Sequence, residues 1–306
     1  MKEISEIIRV FEQAEEQMFA LATLVRARGS SYRRAGARML VRLDGYAVGS
    51  LSGGCLEEEV SLLARAVIET GEPKLISFDM RQRFGCNGEI EVFIECADND
   101  FLRDLGECFR VRQSCVAVTN FQNAADKLGS RIVGIGEALP AESFHQRIDP
   151  PIQLVVIGAG HDTLPFRSLC ELLGWQFIEA PSIDNAPESF DAWTAAIVKT
   201  HHYGRDFAAL QKLVPLGLRY LGLIGPRRRR DQLLADLVDI TGPIDAELFA
   251  PAGLDLGAET PEEIALAVVA EIQSVFAAAS AESLRNRKTP IHPINYDLPI
   301  SIRAIR

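Results

Sequence analysis

The chain has 306 residues, 47% of them hydrophobic and 24% charged, which is core material for two globular domains of ordinary size. A formal net charge of −10 argues against general nucleic-acid binding, which needs a basic face, and no apolar run approaches the ~20 residues of a membrane span. The opening Met1-Lys-Glu-Ile-Ser-Glu6 lacks a signal peptide's apolar segment, and the six cysteines contain no CxxC pair, so a cytoplasmic protein with free thiols is expected.

Ile4, Ile7, Ile8 and Phe11 recur at helical spacing, so residues 3–16 read as an amphipathic helix, and Phe19 to Arg26 reads as a strand. Arg28 to Gly36 is a polar loop whose Arg28, Arg33 and Arg34 suit a phosphate or carboxylate; a solvated surface loop is the competing reading. Arg38–Leu43 and Tyr46–Leu51 flank Asp44-Gly45, a hairpin signal. Ser50-Leu-Ser-Gly-Gly-Cys55 then leads into a helix over Leu56–Thr70, with Glu57, Glu58 and Glu59 in its first turn, where they suit the dipole, and Gly71 at its end. The glycines permit a sharp turn, the helix start offers unpaired N–H groups to an anion, and Cys55 lies where a thiol ionises readily. A tight turn holding an inert, half-buried cysteine remains equally open.

Lys74–Phe78 and Glu89–Glu95 read as strands, and between them Arg83-Phe-Gly-Cys86-Asn-Gly88 is a second glycine-flanked cysteine turn. Residues 101–113 read as a helix, with Ser114–Phe121 and Arg131–Gly136 as strands. Glu137 to Pro151, containing Pro140, Pro150 and Pro151, is the linker candidate, which gives domains over 1–136 and 152–280 and a basic tail over 281–306.

Ile152–Ile157 is a continuous apolar strand that runs into Gly158-Ala-Gly160-His161, then a helix to Leu173, a Gly174 stop and a strand from Trp175. Strand, glycine turn, helix, strand opens a dinucleotide-binding fold, although Thr163 stands where the third Gly or Ala belongs. Glu179 at the second strand's end could face a ribose hydroxyl. Further alternation through Ala195–Lys199, Asp206–Leu213, Tyr220–Ile224 and Arg228–Asp239 gives an α/β, doubly wound parallel sheet. Ligands in such sheets bind beyond the strands' carboxyl ends, where Gly158–His161, Thr200-His201-His202 and Gly225-Pro-Arg-Arg-Arg-Arg230 fall. His201 and His202 read as acid–base groups or as ordinary strand-end residues, and the arginine run as an anion site or a solvated helix start. Thr260, Pro261 and Glu263 spell a capping box before a long apolar helix.

In family order, Gly29 to Val41, Ser52-Gly-Gly-Cys-Leu-Glu57, Gly85-Cys-Asn-Gly88, Gly158–His161, Thr200-His201, Tyr220 to Arg227 and Gly253 to Ala265 resemble the XdhC/CoxI family, accessory proteins of molybdenum hydroxylases such as xanthine dehydrogenase. The resemblance implies an N-terminal α+β domain followed by a Rossmann-like domain, often dimeric. It implies transient binding of the molybdenum cofactor (molybdopterin), protection during sulfuration by a cysteine desulfurase, and delivery to the apo-enzyme: an accessory role more than a catalytic one. The implied cofactor-binding set is Ser52, Gly53, Gly54, Cys55, Cys86, Gly158, Gly160, His161, His201 and Arg227, with Cys55 and Cys86 as candidate contacts to molybdenum or sulfur. The shared setting of the two cysteine turns suggests one pocket facing the strand ends of the second half. The family usually has Cys-Gly-Gly where Cys86-Asn87-Gly88 stands, Asp at Glu179 and Ser at Pro226. The main rival is an NAD(P)-dependent oxidoreductase built on the Gly158 turn; a third reading is a scaffold that binds partners and no small ligand.

Overall fold

The structure is a computed structural model that describes residues 2–14, 17–29, 31–54, 56–79, 88–97, 99–122, 127–134, 137, 139–140, 142–241 and 248–288. The chain divides into two compact units at Pro150/Pro151.

In the first unit, α1 (Lys2–Gln13) is followed by β1 (Phe19–Gly29), β2 (Arg38–Arg42), β3 (Ala47–Gly49), α2 (Glu57–Thr70), β4 (Lys74–Asp79) and β5 (Gly88–Cys96). These strands make an antiparallel sheet in the order β3-β2-β1-β5-β4. The hairpin expected around Asp44-Gly45 is present, with Met39 opposite Gly49 and Val41 opposite Ala47. Successive residues in the first part of β1 alternate between two cores, which is why Phe19–Val25 is apolar but for Thr23. Ala20, Ala22 and Leu24 meet Val60, Ala64 and Val67 of α2. Leu21 meets Ile7 and Ile8 of α1 and Phe101, Leu102 and Leu105 of α3 (Asn99–Arg110). Helix α2 stops at Gly71, whose left-handed backbone (φ 73°) turns its N–H onto Val67 O.

A second sheet, in the order β7-β6-β8, comprises β6 (Cys115–Asn120), β7 (Gly129–Val133) and β8 (Phe144–Ile148). Strand β8 lies inside the stretch read as a linker and pairs antiparallel with β6 from Thr119–Phe144 to Cys115–Ile148.

The second unit holds β9 (Gln153–Ile157), α4 (Leu164–Leu173), β10 (Gln176–Ala180), β11 (Thr194–Val198), α5 (Tyr203–Leu213), β12 (Tyr220–Leu223), α6 (Arg227–Thr241) and α7 (Pro261–Phe276). Its four strands are parallel, in the order β10-β9-β11-β12. Leu154, Val156 and Ile197 face α4 and α7, and Val155, Ala196 and Val198 face α5 and α6, so helices cover both faces as the continuous apolar strands require. Phe249 adds a parallel edge beside β12, exchanging bonds with Leu221 O and Leu223 N at 2.9 Å. The winding reverses between β9 and β11, and the carboxyl ends of those two strands are the topological switch point. No described helix is long and apolar enough to cross a membrane.

Candidate functional site

The turn after β3 is closed by a carboxylate from its own chain. Glu57, the first residue of α2, folds back over it. One carboxylate oxygen accepts Ser50 Oγ at 2.8 Å and the N–H groups of Leu51 and Ser52 at 3.0 and 2.8 Å. The other accepts Ser52 Oγ at 2.7 Å and the N–H groups of Gly54 and Leu56 at 2.9 and 3.1 Å. Burial opposes the charge, but these donors outweigh it and hold the Glu57 carboxyl well below the ordinary carboxylate range. The turn's Leu51, Ser52, Gly54 and Leu56 N–H groups are therefore engaged internally rather than offered to an incoming anion. Cys55 and Cys86 lie outside the described residues, and with them the pocket expected between their turns.

The basic loop lies against this turn. A Cβ on Gly53 (φ 82°) would stand 2.8 Å from Tyr32 Cε1 and 3.0 Å from Cδ1, so a glycine there is what admits the ring. Arg33 is committed elsewhere: its guanidinium makes a two-pronged pair with Glu3 of α1, one prong at 2.8 Å, and this pairing raises its pKa. The loop's far end is tied by Gly36 N to Leu24 O at 2.7 Å and by the buried Arg38, which donates to Gly36 O at 3.2 Å and to Gln146. Arg28 is exposed and has no ion-pair partner among the described residues.

In the second unit, Gly158 ends β9 with φ 129°. A Cβ there would fall 2.7 Å from Lys199 O and 2.8 Å from Lys199 C, so only glycine lets the turn lie against the end of β11. Lys199 Nζ reaches Asp162 Oδ1 at 2.7 Å with its side chain 1% exposed, and Asp162 Oδ2 lies 3.2 Å from His201 Nε2. Burial works against ionisation of Asp162, but the Lys199 and His201 donors hold its carboxyl below the ordinary value. His201 adopts left-handed backbone (φ 55°), uncommon for a residue with a side chain. His161 is exposed at the start of a 3-10 turn, His161–Thr163.

The neighbouring loops are cross-tied. Asp206, 0% exposed, accepts the N–H and hydroxyl of Thr200 at 3.1 and 2.5 Å and is ion-paired with Arg229 of α6. Burial lowers the Arg229 pKa. Arg227 and Arg228 are exposed and have no ion-pair partner among the described residues. Arg230 reaches across to Ala250 O at 2.8 Å, anchoring the segment that leads to Gly253.

Of the sequence-assigned residues, Gly158, Gly160, His161 and His201 gather at the switch point of the second unit, with Arg227 as the first residue of α6, which follows β12. Ser52, Gly53 and Gly54 belong to the first unit. Sequence reasoning missed Asp162, Lys199 and Asp206, read Arg229 only as part of an arginine run that was an anion site or a solvated helix start, and credited Glu57 with the helix dipole alone. Lys199 did carry a signal: it is a cation closing an otherwise apolar strand, and a buried cation demands an anion.

Comparison with known proteins fits this architecture. The XdhC and CoxI family matches residues 12–79, and the XdhC Rossmann domain matches residues 154–272. The chain is 32% identical over 317 residues to a Bacillus subtilis (strain 168) protein described as a probable subunit of xanthine dehydrogenase, covering 86% of this chain and 94% of that protein. It is 26% identical over 271 residues to the molybdenum cofactor insertion chaperone PaoD of Escherichia coli (strain K12), covering 83% and 82%. A crystal structure of a xanthine dehydrogenase from Bacillus halodurans is similar with a TM-score of 0.73 at 25% identity, covering 97% of this chain and 99% of that one. Glycine turn, parallel sheet and both sequence matches agree that the chain belongs to the XdhC and CoxI family.

Proposed function

We propose that this protein carries the molybdenum cofactor as cargo: it binds the cofactor, supports its sulfuration by a cysteine desulfurase and hands it to the apo form of a xanthine dehydrogenase-type hydroxylase. It acts as an accessory protein, and a second copy of the chain completes a homodimer. Relatives described as part of a xanthine dehydrogenase and as a molybdenum cofactor insertion chaperone support the class of role.

The observation that carries the reading is the clamped Ser50–Leu56 turn with the arginine-bearing loop laid on it. The cargo presents a soft metal–sulfur centre, a flat polar pterin and a phosphate. Cys55, between Gly54 and Leu56 in sequence, and Cys86 supply the soft contacts. Glu57 fixes Ser52 and Gly54, and Ser50 Oγ holds Gly53 N, before the cargo arrives, so little ordering is left to pay for on binding. With those amides engaged, the phosphate falls to guanidinium groups such as Arg28. In the second unit, Gly158, Gly160, His161, His201 and Arg227 form a contact surface of their own at the strand ends.

Molybdenum analysis and pterin fluorescence on protein purified anaerobically, under reducing conditions, from a molybdate-fed host test the reading. Both signals are expected to co-purify with the chain; absence of both overturns cofactor carriage.

The parallel sheet with a glycine turn at its switch point favours a second reading, an NAD(P)-dependent oxidoreductase. The side chains fit a dinucleotide poorly. Thr163 fills the third fingerprint position and is buried, and Glu179, the ribose-facing acid, is held by Arg167 at 3.1 Å. Titration with NAD(H) and NADP(H) separates the two: tight, selective binding would favour the oxidoreductase.

A further inference from the structure

Tyr32 is 73% exposed, the most exposed large hydrophobic side chain among the described residues. A single exposed apolar side chain is ordinary on a protein surface and calls for no function. Tyr32 differs in being exposed and also held. Its ring carbons Cε1, Cδ1 and Cζ would lie 2.8, 3.0 and 3.3 Å from a Cβ on Gly53, so the ring rests on glycine backbone. That backbone is itself fixed: Gly53 N donates to Ser50 Oγ at 3.1 Å, and the flanking Ser52 and Gly54 amides donate to Glu57. The next residue along, Arg33, is anchored to Glu3, and the loop returns to β1 through Gly36 N and Leu24 O. The outcome is an aromatic ring resting on a fixed turn, in a loop that is anchored on the C-terminal side of the ring, with most of the ring's surface still in water.

The Gly53 contact already restricts part of the rotamer freedom that binding would otherwise cost, so stacking a flat partner on the ring yields more of its intrinsic attraction. It stands beside the turn that carries Cys55 in sequence and in a loop that bears Arg34. We propose that Tyr32 is the stacking platform for a fused heteroaromatic ring, the pterin of the cargo, on the Ser50–Gly54 stretch. This rests on the cofactor-carrier reading and deepens it by naming the residue that receives the ring. The phenol hydroxyl has no part in the assignment; the ring face does.

The test uses full-length protein and a free pterin, pterin-6-carboxylate, with quenching of its fluorescence as the readout. Wild type and Tyr32→Phe are expected to bind within about two-fold of each other, and Tyr32→Ala to bind roughly ten-fold or more weakly, as loss of one aromatic–base stack does elsewhere. Circular dichroism and thermal melting of the variants, expected to match wild type because the side chain is exposed, exclude misfolding as the cause. The proposal is overturned if Tyr32→Ala binds as wild type does, if Tyr32→Phe weakens as much as Tyr32→Ala, or if wild type does not quench the pterin. A parallel titration with cytidine and adenosine monophosphates separates pterin from nucleobase; Tyr32-dependent binding of a nucleotide alone also overturns it. Molybdenum and pterin content of the purified variants separates this inference from the reading beneath it. Cofactor present in wild type and unchanged in Tyr32→Ala sinks the platform and leaves the carrier standing.

Discussion

Lys199 Nζ lies 2.7 Å from Asp162 Oδ1, and the partners differ in burial: the lysine side chain is 1% exposed and the aspartate 36%. Breaking a buried pair costs most when the charge left behind is the buried one. Asp162→Asn strands an ammonium in the interior and is expected to cost about 3–5 kcal/mol. Lys199→Met leaves a carboxylate that water and His201 still reach, and is expected to cost about 1 kcal/mol. The double variant recovers most of the Asp162→Asn loss. Urea melts of the three variants measure this, and an Asp162→Asn cost no larger than that of Lys199→Met would show that the ammonium is not sealed.

Glu57 gives a pH signature. Its folded carboxyl is held below the ordinary value, so the unfolded chain binds the proton more readily than the folded one. The stability it contributes is present above the unfolded value of about 4.3 and is lost as pH falls through that value towards the folded one. Wild-type stability should therefore fall from about pH 5 downward more steeply than that of Glu57→Gln. At pH 7 the variant is expected to be about 2 kcal/mol less stable, a figure discounted for the partial exposure of the turn. Denaturant melts at pH 3.5, 5 and 7 check it; parallel slopes for the two proteins would falsify the clamp.

Two glycines separate backbone approach from backbone conformation. Gly158→Ala places a methyl 2.7 Å from a backbone carbonyl oxygen at φ 129°, and is expected to cost about 3 kcal/mol or more because β9 and β11 must part. Gly217→Ala, at φ 58° with nothing within 4 Å, carries only the left-handed penalty of about 1 kcal/mol. Thermal melts rank the two, and equal losses would remove the contact with Lys199 as the reason for glycine at 158.

Much of the fold was legible because hydrophobic period and punctuation agreed. The capping box read from Thr260, Pro261 and Glu263 is present atom for atom, with Thr260 Oγ1 accepting Glu263 N at 3.3 Å and Glu263 accepting Thr260 N at 3.0 Å. Strand β8 escaped because Phe144-His-Gln-Arg-Ile148 is short, half-buried and close to prolines, so punctuation outweighed pattern. The clamps escaped for a different reason. Glu57, Glu58 and Glu59 are equivalent as sequence, and only the turn's curvature selects Glu57. Asp162 likewise gains its meaning from a lysine 37 residues away. The Tyr32–Gly53 contact joins two segments that periodicity treats separately.

The arginine run at the start of α6 divides by partner. Arg229 neutralises Asp206, whose carboxylate is 0% exposed and also holds Thr200, so Arg229→Met leaves a buried charge and is expected to cost about 3 kcal/mol. Arg227 and Arg228 are solvated cations in a first helical turn, where they oppose the dipole. Replacing both with alanine is expected to leave stability unchanged or raise it by a few tenths of a kcal/mol. If the chain carries the cofactor as proposed, the same double variant should lower the molybdenum and pterin recovered with the protein, because those charges are free for an anionic cargo. Chemical melts paired with cofactor analysis read both effects on one preparation. A large stability loss in the double variant would move these arginines from ligand contact to scaffold, and unchanged stability with unchanged cofactor content would leave them simply solvated.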